Sequence, residues 1–162
     1  MTSTLSLNAS SAWISTLYTT GFTTPAGLGF FTLISAQGGP TSYFSTIDSD
    51  STSYPHRASI YEWQFSAVAL TDVFPEEGVS WLNSFVGGIE DGMKEKEGEA
   101  EGGYGMYYNY ADPSLHRGEA DHRYWMGNLG RVKALKELWD PEEVFMNPQT
   151  VESWAFREGD VL

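Results

Sequence analysis

The sequence predicts an α+β fold, an antiparallel sheet with helices packed on one of its faces and a C-terminal helix behind it. Three observations carry that expectation. "IYEWQFSAVAL" (60–70) alternates large apolar residues with polar ones, the period of a strand whose two faces differ. Trp81, Phe85 and Ile89 recur every four residues, the stripe of an amphipathic helix. Strands, helix, strand and helix follow one another with no linker or internal repeat, and the strands lie close enough in sequence to pair antiparallel. A chain of 162 residues, 41% hydrophobic and 15% aromatic, has the material for a packed core.

The elements follow in order. Residues 1–24 are rich in Ser and Thr and only weakly periodic, with a short helix around Ala12–Tyr18. "GLGFFTLISAQGG" (27–39) reads as a buried strand bounded by glycines, and "TSYFSTI" (41–47) as a second one. The polar loop "DSDSTS" leads through "YPHR" (54–57) into the strand at 60–70, where Tyr61, Trp63 and Phe65 face one way and Glu62, Gln64 and Ser66 the other. Pro75 suits a first helical position, with Glu76 and Glu77 at the positive end of the helix dipole. "KEKEGEAEGG" (94–103) reads as a charged, glycine-broken loop, and "GYGMYYNY" (103–110) as a further strand. A second helix is expected from about Glu119 to Trp139, with Tyr124, Asn128, Val132, Leu135 and Trp139 on one stripe. Asp140-Pro141-Glu142 then has the cap, proline and acid of a short turn.

Charge narrows the function. Nine basic against 22 acidic residues leave a net charge of −13, which repels phosphate backbones and anionic lipid. Nucleic-acid and membrane-surface roles are therefore not expected, and no apolar run reaches the roughly 18 residues of a bilayer span. Cysteine is absent, which removes disulfides, thiolate catalysis and cysteine–zinc sites. The N-terminus lacks the basic start and unbroken apolar stretch of a secretory signal. His56, His116 and His122 have no metal spacing, so no metal site is expected, and no phosphate loop or nucleophile elbow occurs.

Three features bear on chemistry. Glu62 points away from the face that packs on helices; that second face is either simply wet or roofs a ligand cavity with Glu62 as its base. A carboxylate in a partly dry aromatic setting has a raised pKa, which suits a proton acceptor. In "GYGMYYNY" a two-residue period places Tyr104, Met106, Tyr108 and Tyr110 on one face and Gly105, Tyr107 and Asn109 on the other. Such rings pack a core or line a site, and Gly103 and Gly105 would let a backbone or flat ligand come close. Asn128, on the apolar stripe of the last helix, needs partners once buried, either local backbone groups or a polar ligand. Gly127 and Gly130 beside it weaken the helix, which close approach would explain.

Taken together, "YPHRASIYEWQFSA", "YYNYADPSL" and "YWMGNLGRVKALKELWDPEEVFMNPQTV" resemble, in order and spacing, the end of berberine bridge enzyme-like, FAD-linked oxidoreductases. The residues matching the family pattern are Tyr107, Asn109, Tyr110 and Asp112, then Tyr124, Asn128, Arg131, Leu135, Lys136, Asp140, Pro141, Phe145 and Gln149. Met126 stands where the pattern has glycine, Leu129 replaces the usual aromatic, and the stretch between Gly39 and His56 is longer than usual.

The resemblance implies a sheet that carries helices on one face and looks onto flavin with the other. It implies Glu62 and Tyr110 as catalytic residues, and Asn109, Tyr110 and Asn128 as neighbours of the flavin. The implied reaction removes a substrate proton, passes hydride to FAD and returns the electrons to dioxygen, in specialised metabolism. The family's FAD-binding domain, with the residues that attach the flavin, is not in this stretch. The expectation is thus a partial flavoenzyme: a weakly structured segment at 1–24, part of a substrate-binding sheet domain at 25–103, a berberine bridge-type segment at 104–152 and a tail at 153–162. Its expected partners are a small-molecule substrate and a separate FAD-binding chain. The alternative is a non-catalytic binding module that holds no FAD.

Overall fold

The computed structural model describes residues 4–97 and 104–153. Two compact units divide the chain: residues 1–45 with 58–104, and residues 46–57 with 105–162. The stretch 46–57 folds with residues 105–162 in the second unit.

The first unit is a two-stranded antiparallel sheet under two helices. Strand β1 (Leu28–Ala36) pairs with β2 (Tyr61–Ala69), and the register sets Ile34 opposite Trp63 and Ser35 opposite Glu62. Both strands lie within the ranges the sequence predicts. Helix α1 (Leu7–Thr19) is longer than expected for a weakly structured start. Ser6 explains it: the side chain caps the helix by accepting from the Ala9 amide, and its hydroxyl donates to the Gly92 carbonyl. Helix α2 (Gly78–Glu97) crosses α1 at that point. A Cβ at Gly92 would sit 2.4 Å from the Ala9 Cα, so only glycine permits this approach.

The core beneath is aromatic. Trp13 meets Trp63 and Phe65 edge-on at 5.1 and 5.7 Å, and Phe85 of α2 lies within 6.2 Å of Phe65 and 5.8 Å of Phe30. The alternation in β2 therefore assigns its faces as expected. Helix α2 starts three residues after Pro75, because residues 75–78 form a turn in which the Gly78 amide donates to the Pro75 carbonyl. It also runs on through Glu97, well into the expected loop at 94–103, whose remainder lies outside the described residues.

The expected strand at 41–47 is instead two 3₁₀ turns, Gly39–Thr41 and Tyr43–Thr46. Gly38 and Gly39 take φ of 86° and 67°, which ends the extended chain. The Ser42 and Ser45 hydroxyls then turn back on the carbonyls of Gly39 and Pro40.

The second unit is built on helices α3 (Arg117–Trp125) and α4 (Leu129–Trp139). The single helix expected over 119–139 is interrupted by a 3₁₀ turn at Met126–Asn128. Met126 has φ 46° and ψ −127°, a backbone conformation that cannot continue a helix and that L side chains rarely adopt. After α4, the Asp140 carboxylate accepts from the Val144 and Phe145 amides, the capped turn that Asp140-Pro141-Glu142 predicts. The core gathers Ala120, Tyr124, Trp125 and Val151, with Met106, Tyr108 and Leu115 against them. Leu135 and Trp139, expected on the buried stripe, are largely exposed. Among the described residues no helix is long and apolar enough to cross a membrane.

Candidate functional site

The strand expected over 103–110 is absent from its described part, residues 104–110. The Met106 amide donates to the Arg123 carbonyl, and Tyr108–Tyr110 close a single 3₁₀ turn in which the Tyr110 amide donates to the Tyr107 carbonyl. In a 3₁₀ turn side chains three apart share a side, so the relevant period is three and not two. Tyr107 and Tyr110 accordingly meet edge-to-face at 5.5 Å. Tyr108, paired with Tyr110 on one face by the strand reading, turns the other way and packs on Trp125 at 4.9 Å and Tyr124 at 5.5 Å. One ring therefore serves the core while Tyr110 stays 52% exposed. The exposed Asn109 amide donates to the Tyr107 hydroxyl at 2.7 Å.

The room at Gly105 is taken by the protein itself. A Cβ there would lie 2.1 Å from the His56 Cε1, so the flat group that glycine admits is the imidazole of "YPHR". Burial lowers the His56 pKa; the backbone at Arg123, Met106 and Tyr124 pulls it back upward. Gly103 lies outside the described residues. Gly127 and Gly130 meet nothing: a Cβ at either would find open space, so close approach does not explain them.

The other motif residues brace this turn. Tyr124 accepts from the Asp112 amide at 2.8 Å and donates to the Gln149 side chain at 2.7 Å, while the Gln149 amide donates back to the Asp112 carbonyl. Burial raises the Tyr124 pKa, which keeps the phenol protonated as a donor. Asn128 is buried, and its side-chain amide donates to the carbonyls of Ser49 at 2.7 Å and Thr52 at 3.2 Å. Arg131 donates to the carbonyls of Asp50 and Thr52. Lys136 pairs with Asp140 and Glu143, and these contacts outweigh desolvation and raise its pKa. Of the residues that match the family pattern, most are thus occupied in holding loops to helices, whereas Asn109 and Tyr110, like Leu135 and Phe145, are exposed.

Glu62 belongs to the first unit, and Asn109, Tyr110 and Asn128 to the second. On β2 the face bearing Glu62 also carries Phe31 and Leu33 of β1, each about half exposed. Gln37 donates to the Glu62 carboxylate at 3.0 Å. Partial burial raises the Glu62 pKa, and that hydrogen bond partly offsets the rise. Sequence reasoning missed Gln37, which is 25 positions from Glu62, and missed Tyr54, which lies 5.7 Å from Tyr107. The only signal for Tyr54 was its place in "YPHR".

Comparison with known proteins shows what the chain is similar to. Residues 106–152 match the family described as Berberine and berberine like. The chain is 36% identical over 134 residues to a glucooligosaccharide oxidase from Sarocladium strictum, covering 80% of this chain and 26% of that protein. A xylooligosaccharide oxidase from Thermothelomyces thermophilus is 30% identical over 131 residues, covering 76% of this chain and 24% of the relative. The solved structure of glucooligosaccharide oxidase from Acremonium strictum, with its 6-S-cysteinyl, 8α-N1-histidyl FAD, superposes with a TM-score of 0.75 at 33% identity. It covers 94% of this chain and 32% of the solved one. The chain thus spans about a quarter of the length of the curated relatives it matches. Residues 106–152 thus match the berberine and berberine-like family, and most of the chain is similar to a part of FAD-linked oxidases of that kind.

Proposed function

We propose that this chain supplies the substrate-facing sheet and the C-terminal segment of an FAD-linked oxidoreductase that oxidises a saccharide. The observation that carries the proposal is the exposed Tyr110 phenol, presented on a turn that the rest of the family motif braces. The names of the relatives favour a carbohydrate over the alkaloids and phenolic terpenoids of specialised metabolism.

The residues present fit one part of the cofactor. Tyr110 and Asn109 offer an exposed aromatic and amide surface of the kind a flavin ring requires. The described cations, in contrast, are committed within the chain. Lys94, Lys133 and Lys136 pair with carboxylates, as do Arg117 and Arg123, and Arg57 and Arg131 bind the 49–53 loop. A dinucleotide's pyrophosphate therefore needs donors from a separate FAD-binding portion, and Asn128 supports the turn region through the loop it holds. Bound FAD would supply the hydride acceptor, with dioxygen taking the electrons afterwards.

This chain's own part is the proton. Oxidation of a carbinol to a carbonyl releases one proton from the hydroxyl and one hydride from carbon. Our candidates to accept or relay that proton are Tyr110, on its exposed turn, and Glu62, on the open face of β2. Desolvation moves Glu62 towards the working pH, which favours a base.

The experiment is a graft in which this chain replaces the matching segment of glucooligosaccharide oxidase. In that protein Tyr110→Phe and Glu62→Gln are compared for kcat and flavin content. A base contributes roughly 10²–10⁴ in rate, so the variant that removes it should lower kcat by at least about 100-fold with flavin content unchanged. If neither variant lowers kcat, proton transfer by this chain is excluded.

A further inference from the structure

We propose that Tyr54 is a positioning residue for Tyr110, acting through a train of rings that starts at the half-buried His56; its functional meaning rests on the reading of Tyr110 given above. Each link is a contact within one unit. His56 is fixed by Gly105, whose missing Cβ leaves space for the imidazole alone. Tyr54 meets His56 edge-on at 5.2 Å with planes 83° apart. Tyr107 meets Tyr54 at 5.7 Å and 87°, and Tyr110 meets Tyr107 at 5.5 Å and 66°. Each contact has the edge-to-face form that aromatic pairs favour.

Two features keep the middle of the train in place. The Tyr107 hydroxyl accepts from Asn109, so its ring is held at both ends. The guanidinium of Arg57 lies over the Tyr54 ring at 5.6 Å, adding a cation–π contact on a side chain that also donates to Thr52. Tyr110 itself is 52% exposed, and its described ring contact is the one with Tyr107. A phenol that must meet a proton in one geometry gains from such support, because small misplacements cost large factors in rate.

The test is NMR on the full chain with ¹³C-labelled tyrosine, the Tyr110 signals being assigned from Tyr110→Phe. The wild-type chain should show ring–ring NOEs between Tyr54 and Tyr107 and between Tyr107 and Tyr110. Tyr54→Phe keeps the ring and should preserve the Tyr110 ring shifts. Tyr54→Ala should move them to the positions of free tyrosine while the Tyr124 and Trp125 signals of the core stay in place. Unchanged Tyr110 shifts in Tyr54→Ala would overturn the proposal, as would the absence of the two wild-type NOEs, which needs no variant to fold. The outcome is independent of turnover, so a failure of Tyr110 as a proton carrier and a failure of the ring train are told apart.

Discussion

Met126 holds φ 46° and ψ −127°, where a side chain is strained, at the position where the resembling family pattern has glycine. Such a conformation costs on the order of 1–3 kcal/mol for a residue other than glycine. The side chain is half exposed, so little apolar burial is lost with it. Met126→Gly should therefore stabilise the chain by about 1 kcal/mol after the entropic cost of glycine, raising Tm by roughly 2–4 °C. Met126→Ala keeps the strain and should bring no gain; equal Tm values for the two variants in thermal denaturation would contradict this. The departure from the pattern was visible in the sequence. Its consequence was not, because a torsion angle is set by where α3 must stop. The tyrosines teach the same lesson: "YYNY" shows aromatic residues at every second position and also at a spacing of three. Which period governs depends on whether a partner strand exists, and that is not written in the stretch itself.

Elements were legible where one periodicity dominated. Strand β2 and helix α2 were readable because their aromatic residues alternate or recur strictly, and their partners, Trp13 and Phe85, lie on the faces those patterns assign. The expected strands at 41–47 and 103–110 failed because glycine torsions and serine hydroxyls bend the first, and His56 seated on Gly105 claims the second. Helix α2 contains a direct contrast. A Cβ at Gly87 would meet nothing within 4 Å, whereas one at Gly92 would strike the backbone of Ala9. Gly87→Ala should stabilise by up to about 1 kcal/mol through helix propensity, and Gly92→Ala should destabilise by about 1–3 kcal/mol through overpacking. Urea denaturation of the two variants checks this, and equal midpoints would show that α1 and α2 do not meet at Gly92.

For the whole molecule, the family motif proves to be mostly scaffold. Tyr124, Gln149 and Asp112 tie the C-terminal stretch to α3, and Asn128 and Arg131 hold the 49–53 loop. The sequence made the set recognisable; it did not separate the residues that brace from those that stand open, since burial and hydrogen bonding belong to the fold. We propose that this scaffold presents half of a working site to a flavin. The most direct test is the graft into glucooligosaccharide oxidase, mixed anaerobically with a glucooligosaccharide while the visible flavin absorbance is followed. The flavin should bleach on substrate addition and recover its colour on admitting air. A folded, flavin-loaded graft that stays yellow would contradict it and leave the chain as a binding module without oxidase chemistry.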